Sequence, residues 1–248
     1  VEGDDLKYID WNVYGKTERF YVKKYEAQTN LECTLLVDIS RSMGYCHESH
    51  TVRKLDYAVY LAAAMAYLMV KQQDAVGLVT FDNDLRAYLR PQSKRSQLTT
   101  IVGHLAAAQA AEPTAFAASL SKVGALLRHR GLIVVLSDFL GDLDSMFDGL
   151  KQLRYRGNDI IAFHILDRAE LDLPFQELML FTDSEDADNQ IAAEPDRIRR
   201  EYQEEIQTFL ARVKDQCAAL RIQHLALNTS QPFDTALHQF LMERKSLC

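Results

Sequence analysis

Short apolar runs separated by helical patterns recur along most of the chain. Continuous apolar runs of this length are typical of strands that are covered on both faces of a sheet. We predict such strands at 31–37, 75–81, 132–138, 159–166 and 222–227. Between them, apolar residues recur at the three- and four-residue spacing of helices. We predict helices at 54–73, 97–110, 114–129, 142–155, 195–220 and 233–244.

The alternation of strands and helices predicts an α/β fold with a mainly parallel central sheet and helices on both faces. Residues 85–89 follow an Asp-Asn-Asp turn and are predicted to form a short antiparallel edge strand. A further short strand is predicted at 177–182. Residues 1–29 place aromatic and β-branched residues on either side of a turn, which predicts an extended hairpin. We therefore divide the chain into this N-terminal segment and one large domain, 30–248.

Oxygen-bearing side chains follow the first predicted strand. Asp38 lies at its carboxyl end, and Ser40 and Ser42 follow at alternate positions, so an extended loop can turn all three toward one point. The carboxyl edge of an open α/β sheet is where ligands bind, and oxygen ligands suit hard cations such as Mg²⁺. Asp138 ends a second buried run, and Thr114 opens a helix, where it can cap the helix or bind metal.

This set of five residues resembles the metal-ion-dependent adhesion site of von Willebrand factor type A (vWA) domains, D-x-S-x-S followed by a Thr and an Asp. The matching residues are Asp38, Ser40, Ser42, Thr114 and Asp138. The resemblance implies a vWA-type, Rossmann-like fold. It also implies Mg²⁺ or Mn²⁺ held by the three hydroxyls, with the two acids in the inner shell or acting through water. Neutral ligands would leave the ion electron-poor, and it would accept a carboxylate from a partner.

Other stretches resemble the family known as domain of unknown function 58, namely 3–12, 54–58, 74–81 and 136–139. These are vWA proteins often associated with MoxR-type AAA+ ATPases. The resemblance implies a non-enzymatic adaptor for such an ATPase or its client in the assembly or maturation of protein complexes. We expect the contacts at 45–52, Phe139 and Leu140. One departure is Ala115, which stands where the family usually has an Asp, and it bears on metal affinity.

Composition excludes some classes of function. The net charge of −7 disfavours nucleic-acid binding, which needs a basic face. Four widely spaced cysteines without a C-x-x-C motif fit thiols in a reducing compartment, so we expect a cytoplasmic location. No apolar run approaches the length of a membrane-spanning helix. The chain begins at Val1 rather than Met, and we expect a segment before it.

Two alternative functions stay open. An Asp followed by a hydroxyl resembles haloacid-dehalogenase-type phosphohydrolases, which are metal-dependent enzymes. Their second Asp, two positions after the nucleophile, is Ser40 here, which cannot act as a general acid near neutral pH. The other alternative is a metal-free interaction scaffold, which Ala115 supports.

Three further polar clusters are interpreted without a metal. His47 and His50 would need a second ligand pair to form a structural zinc site, so they indicate an exposed loop. Asp167 follows a third predicted strand but has no counterpart in the family motif. The acidic stretch 183–194 resembles an EF-hand loop but has Asp188 where that loop requires Gly, so we interpret it as a solvated loop.

Overall fold

The computed structural model describes residues 32–47, 52–110, 112, 116–183, 189–234, 237–238 and 241–242. These residues contain eight strands. The strands are β1 (Glu32–Asp38), β2 (Ala75–Phe81), β3 (Leu85–Gln92), β4 (Leu132–Ser137), β5 (Asp159–Leu166), β6 (Met179–Thr182), β7 (Gln190–Ala193) and β8 (Gln223–Asn228). The continuous apolar runs of the sequence became the buried strands β1, β2, β4 and β5.

Six of these strands form the central sheet, in the order β3-β2-β1-β4-β5-β8. Neighbours pair in parallel, except that β3 runs antiparallel to β2 at the edge. The predicted vWA-type sheet, mainly parallel with an antiparallel edge strand, is therefore confirmed. Because β1 and β4 are parallel neighbours at the centre, their carboxyl ends lie side by side.

Helices cover both faces of this sheet, as predicted. They are α1 (Lys54–Lys71), α2 (Arg95–Ala106), α3 (Phe116–Leu126), α4 (Leu143–Tyr155), α5 (Arg168–Asp172) and α6 (Pro195–Ala219). Buried residues of α1 and α2 share one core cluster with Leu35 of β1. Those of α3, α4 and α6 share a second cluster with Leu36. Successive strand residues point to opposite faces, so β1 contributes to both cores.

Some elements differ from the prediction. Helix α2 begins two residues earlier and ends four residues earlier than predicted, and β3 continues to Gln92. Strand β3 therefore includes Pro91, which is tolerated because β3 is an edge strand. The helix α5 and the strand β7 were not predicted, because five and four residues are too short to show a period. Strand β7 pairs with β6 in a separate antiparallel sheet.

Two predictions concern the ends of the chain. The N-terminal hairpin, and with it the proposed boundary at residue 29, lies outside the described residues. Near the C-terminus, the predicted helix is seen as helical backbone at the residues that are described: Phe233, Asp234, Leu237, His238, Leu241 and Met242. Over the described parts of the chain, no helix combines the length and apolar character needed to cross a membrane.

Candidate metal centre

Two buried serine hydroxyls meet just beyond the carboxyl end of β1. A short 3-10 turn, Arg41–Gly44, brings Ser42 toward Ser40. The two Oγ atoms are 3.1 Å apart and share a hydrogen bond, and both serines are buried. Ser40 and Ser42 occupy alternate positions in the sequence, and the turn brings their hydroxyl oxygens next to each other at the edge of the sheet.

Asp38 ends β1 and is buried beside these serines. Its Oδ1 accepts a hydrogen bond from the Ser40 N–H at 2.9 Å, and its Oδ2 accepts one from the Ser137 hydroxyl at 2.6 Å. Burial raises the pKa of Asp38 to about 7, and the charge of Asp138 adds to the rise, whereas the two serines lower it in part. Near neutral pH, the ionised form of such an acid is stabilised by any positive charge placed nearby.

Asp138 follows β4, the strand next to β1, and is fully buried. Its Oδ1 accepts a hydrogen bond from the Leu140 N–H at 3.1 Å, and its Oδ2 accepts one from the Lys54 ammonium at 2.7 Å. Phe139 adopts a left-handed φ of 54°, which is uncommon for a residue with a side chain. Its N–H donates to the Ser137 hydroxyl at 3.0 Å, so this tight turn fixes where Asp138 lies.

Lys54, the first residue of α1, is fully buried between two carboxylates. Its Nζ donates to Asp138 Oδ2 at 2.7 Å and to Glu170 Oε1 at 2.6 Å, and it lies 5.9 Å from the centre of the Tyr45 ring. Burial by itself would lower the pKa of Lys54, but the two carboxylates raise it, so the side chain is an ammonium. Burial raises the pKa of Glu170, although Lys54 offsets part of that rise.

Sequence reasoning missed Lys54 and Glu170 as members of this cluster. One signal was present, because a cation in the first turn of an apolar helix runs against the helix dipole and suggests a specific partner. Glu170 carried no such signal. It lies on the short helix α5, where its Oε2 accepts a hydrogen bond from the Asp167 N–H at 2.8 Å in a capping box.

The oxygen atoms at this edge fit a hard divalent cation. Adjacent oxygens around octahedral Mg²⁺ lie about 3.0 Å apart, because each is about 2.1 Å from the ion. The Ser40 and Ser42 hydroxyls are 3.1 Å apart, and the buried carboxylates of Asp38 and Asp138 supply negative charge. In the described part of the chain, no group of three or more His, Cys, Asp or Glu is arranged to hold a metal. A cation here would therefore need the hydroxyls.

The fifth predicted site residue, Thr114, lies outside the described residues, as does Ala115. The chain just before them is described at Glu112, whose carbonyl oxygen accepts a hydrogen bond from the Arg41 N–H at 2.8 Å. The described structure thus places four of the five predicted residues at one edge of the sheet: Asp38, Ser40, Ser42 and Asp138.

The prediction that Phe139 contacts a partner is wrong. Phe139 is fully buried, and its ring packs near those of Phe116, Phe147 and His164, with centroids 5.7, 6.4 and 5.3 Å away. The left-handed backbone turns the side chain into the core rather than toward solvent. Leu140 is partly exposed.

The other polar clusters have structural contacts. Asp167 caps α5, because its Oδ1 accepts a hydrogen bond from the Ala169 N–H at 2.8 Å. The His47 ring packs edge-on against Phe175 with centroids 4.7 Å apart, and His50 lies outside the described residues. In the acidic stretch 183–194, residues 184–188 are likewise outside, and β7 occupies four of the remaining positions.

An apolar cavity of about 390 Å³ opens beside these residues. Ser42 and Glu170 line it from the side of the candidate metal centre. The apolar part of its lining includes Leu173, Phe175, Phe181, Ile191 and Ile198. Of the residues that line the cavity, Ile191 is 63% exposed at the surface. Exposed apolar side chains beside a polar site often mark an interaction surface.

A family model described as "Protein of unknown function DUF58" matches residues 1–210. An uncharacterized protein of Mycobacterium tuberculosis is 27% identical over 175 residues, which is 69% of this chain and 54% of that protein. The chain thus spans about half the length of the curated relatives it matches.

A solved structure shares the fold. The conserved hypothetical protein BatB from Bacteroides thetaiotaomicron has a TM-score of 0.56 at 16% identity, covering 87% of this chain and 99% of that chain. The vWA domain of SpRpn10 has a TM-score of 0.44 at 11% identity, covering 82% of this chain and 90% of that chain. At 16% identity, the likeness to BatB concerns the fold alone.

Proposed function

Because the chain belongs to the DUF58 family, whose model matches residues 1–210, and has a vWA-type sheet, we propose that it is a protein-interaction module that binds Mg²⁺ or Mn²⁺. One observation carries the proposal. Two buried serine hydroxyls lie 3.1 Å apart beside two buried acids at the carboxyl ends of neighbouring strands. The partner would bind through a carboxylate at this edge.

The hydroxyl residues and the acidic residues would have different roles in binding the cation. Ser40 and Ser42 would hold it through their hydroxyl oxygens, and Thr114 is proposed as a third hydroxyl. Asp38 and Asp138 would balance its charge, directly or through water. Both oxygens of each acid already accept hydrogen bonds, which favours the indirect role. With few anionic ligands, a bound cation would supply an electron-poor position for a carboxylate of the partner.

We propose a MoxR-type AAA+ ATPase, or its client protein, as the partner. Support comes from the family resemblance. Further support comes from the surface beside the centre, where Ile191 lines the apolar cavity and is 63% exposed. A carboxylate at the cation and apolar contacts at this surface would together give a specific interface. Such a partnership would place the chain in the cytoplasm.

Calorimetric titration with MgCl₂ and MnCl₂ tests the metal. We expect saturable binding to the wild type, binding weaker by about tenfold or more in Ser40→Ala, and no binding in Asp38→Ala. Asp159→Ala is the matched control, because Asp159 is a half-exposed acid at the amino end of β5, on the opposite edge of the sheet. Equal affinity in the wild type and Asp38→Ala would overturn the proposal.

A pull-down with the MoxR-type ATPase encoded nearest to this chain tests the partner. We expect capture in Mg²⁺ that is lost in EDTA and in Ser40→Ala. Ile191→Asp should also reduce capture by placing a charge on the exposed apolar lining of the cavity, whereas Tyr155→Asp, an exposed position at the end of α4, should not. Capture that survives both EDTA and Ser40→Ala would contradict a metal-bridged interface.

A metal-free scaffold is the second candidate function, and Lys54 favours it. Its ammonium already supplies positive charge to the buried acids Asp138 and Glu170. In that case the Mg²⁺ titration shows no binding, EDTA has no effect on the pull-down, and Ile191→Asp still reduces capture. The phosphohydrolase alternative gains no comparable support, since Ser40, at the position of the required acid, bonds to Ser42.

A further inference from the structure

Lys54 is shared between two acids that belong to different parts of the molecule. Its Nζ lies 2.7 Å from Asp138 Oδ2, at the end of β4, and 2.6 Å from Glu170 Oε1, on α5. The side chains of Lys54 and Asp138 are fully buried, while that of Glu170 is 18% exposed. One ammonium therefore has two acceptors, and only one of them belongs to the candidate metal centre.

A divalent cation beside Asp138 would compete with this ammonium. Both need the negative charge of the same carboxylate, and like charges a few ångströms apart repel strongly where water is excluded. Glu170 offers the ammonium a second position. Its Oε1 is already in contact with Nζ, and its Oε2 is held by the Asp167 N–H at 2.8 Å. Lys54 can thus give up Asp138 and still keep Glu170 as an anionic partner.

We propose that Lys54 is an internal counter-cation that lowers the affinity of the strand-edge site for divalent cations, with Glu170 as the acid that retains the ammonium when a cation binds. This inference rests on the proposed function. Lys54 and Glu170 are positioning residues in this scheme, since neither touches the cation. Their effects on cation affinity have opposite signs: Lys54 weakens binding, and Glu170 strengthens it by drawing the ammonium away from Asp138.

Calorimetric titration of Lys54→Met with MgCl₂ is the first test. Met keeps an unbranched chain of similar length but removes the charge. We expect Mg²⁺ to bind at least about tenfold more tightly than in the wild type, because the competing charge is gone. The same variant should melt at a lower temperature in EDTA, where its buried acids have no cation, and Mg²⁺ should restore much of the loss.

Lys71→Met is the matched control. Lys71 is an exposed lysine at the last position of the same helix, and removing it makes the same change in net charge. It lies roughly 25 Å from Lys54 along α1, since each helical residue rises about 1.5 Å. We expect its Mg²⁺ affinity to match that of the wild type. A purely structural role for Lys54 would lower the melting temperature without tightening Mg²⁺ binding.

Glu170→Gln keeps the proposal testable if Lys54→Met does not fold. Gln is accepted in a capping box, so α5 should remain intact. We expect Mg²⁺ binding several-fold weaker than in the wild type, because the ammonium then remains on Asp138. Unchanged Mg²⁺ affinity in Glu170→Gln would contradict the proposal. Where Lys54→Met does fold, the loss should shrink in the double variant Lys54→Met/Glu170→Gln, since no ammonium is left on Asp138. The double-mutant cycle separates this coupling from the direct charge effect of Glu170.

The outcomes separate this inference from the proposed function. If the wild type binds Mg²⁺ and Lys54→Met binds it no more tightly, the inference is wrong and the proposed function stands. If the wild type does not bind but Lys54→Met does, the inference stands and the wild-type metal site fails. If no variant binds Mg²⁺, both are overturned.

Discussion

At the scale of the residue, Asp38 shows what a buried acid does to stability. Its carboxylate is enclosed at the end of β1, and burial together with the neighbouring charge of Asp138 raises its pKa to about 7. Between about pH 4 and pH 7 the folded protein therefore holds a proton that the unfolded chain releases. Stability contributed by this proton is lost as the pH rises through that window. Binding sites often carry such local instability.

We therefore predict that Asp38→Asn stabilises the metal-free protein at pH 8 but not at pH 5. An asparagine side chain can be accommodated here, because its carbonyl can accept from the Ser40 N–H and its amide can donate to the Ser137 hydroxyl. The difference in unfolding free energy between variant and wild type should grow by roughly 2–3 kcal/mol from pH 5 to pH 8, at about 1.4 kcal/mol per pH unit below pH 7. Urea unfolding in EDTA measures it.

The control for this experiment is Asp159→Asn, which changes an exposed acid at the other edge of the sheet. Its difference from the wild type should stay nearly constant with pH, because surface ion pairs contribute little. If the difference in unfolding free energy between Asp38→Asn and the wild type did not change with pH, folding would not raise the pKa of Asp38, and the prediction would be wrong.

At the scale of the elements, β3 approaches β2 closely at Gly77. A Cβ atom at this position would lie 2.6 Å from the Leu89 carbonyl oxygen and 2.9 Å from the Pro91 nitrogen, both of them backbone atoms. The strand register shifts here, between Val76 and Leu78, so the two backbones meet at an irregular point of the ladder. Backbone atoms in a sheet cannot move aside as a flexible side chain can, and the edge strand therefore depends on a residue without a Cβ.

We predict that Gly77→Ala lowers the free energy of unfolding by roughly 2 kcal/mol, through the overlap of the new methyl group with β3. The midpoint of urea unfolding measures the change. Gly103→Ala is the matched control, because a Cβ placed there has no atom within 4 Å apart from its chain neighbours and the adjacent backbone of its own helix. It should raise stability by up to about 1 kcal/mol, since Ala favours helices more than Gly. Equal shifts in both variants would contradict the close approach.

At the scale of the whole molecule, the candidate metal centre joins parts of the chain that are far apart in sequence. Lys54 bonds to Asp138, 84 positions away, and to Glu170, 116 positions away. The parallel order of β1, β4 and β5 brings these segments to one edge of the sheet. A cation bound at that edge would stabilise the folded state and have no such site in the unfolded chain.

We therefore predict that Mg²⁺ raises the melting temperature of the wild type. At a free concentration of 100 times the dissociation constant, binding adds about 2.7 kcal/mol, which for a domain of this size is a shift of roughly 5–10 °C. Differential scanning calorimetry in MgCl₂ and in EDTA measures it, with Asp38→Ala as the variant that should not respond. A wild-type melting temperature independent of Mg²⁺ would favour the metal-free scaffold.

The amino-acid sequence by itself determined the architecture of the sheet. Continuous apolar runs mark strands buried on both faces, and helical spacing between them requires crossovers that make the strands parallel. Parallel strands end at one edge, which is why Asp38 and Asp138, each placed after an apolar run, lie at the same edge of the sheet. The D-x-S-x-S spacing likewise anticipated the meeting of the Ser40 and Ser42 hydroxyls, because a single turn suffices to bring them together.

Only the tertiary structure decided which groups surround these residues. The ion pairs of Lys54 depend on the packing of α1 against β4 and α5, and no local spacing encodes them. Phe139 is a similar case, because an apolar residue is compatible with either an interface or a core. The left-handed turn after β4 directs its side chain into the core. Sequence periodicity reports which face of an element is buried, because burial repeats with the element's own period. Sequence periodicity does not indicate which distant side chain forms an ion pair with a buried charge.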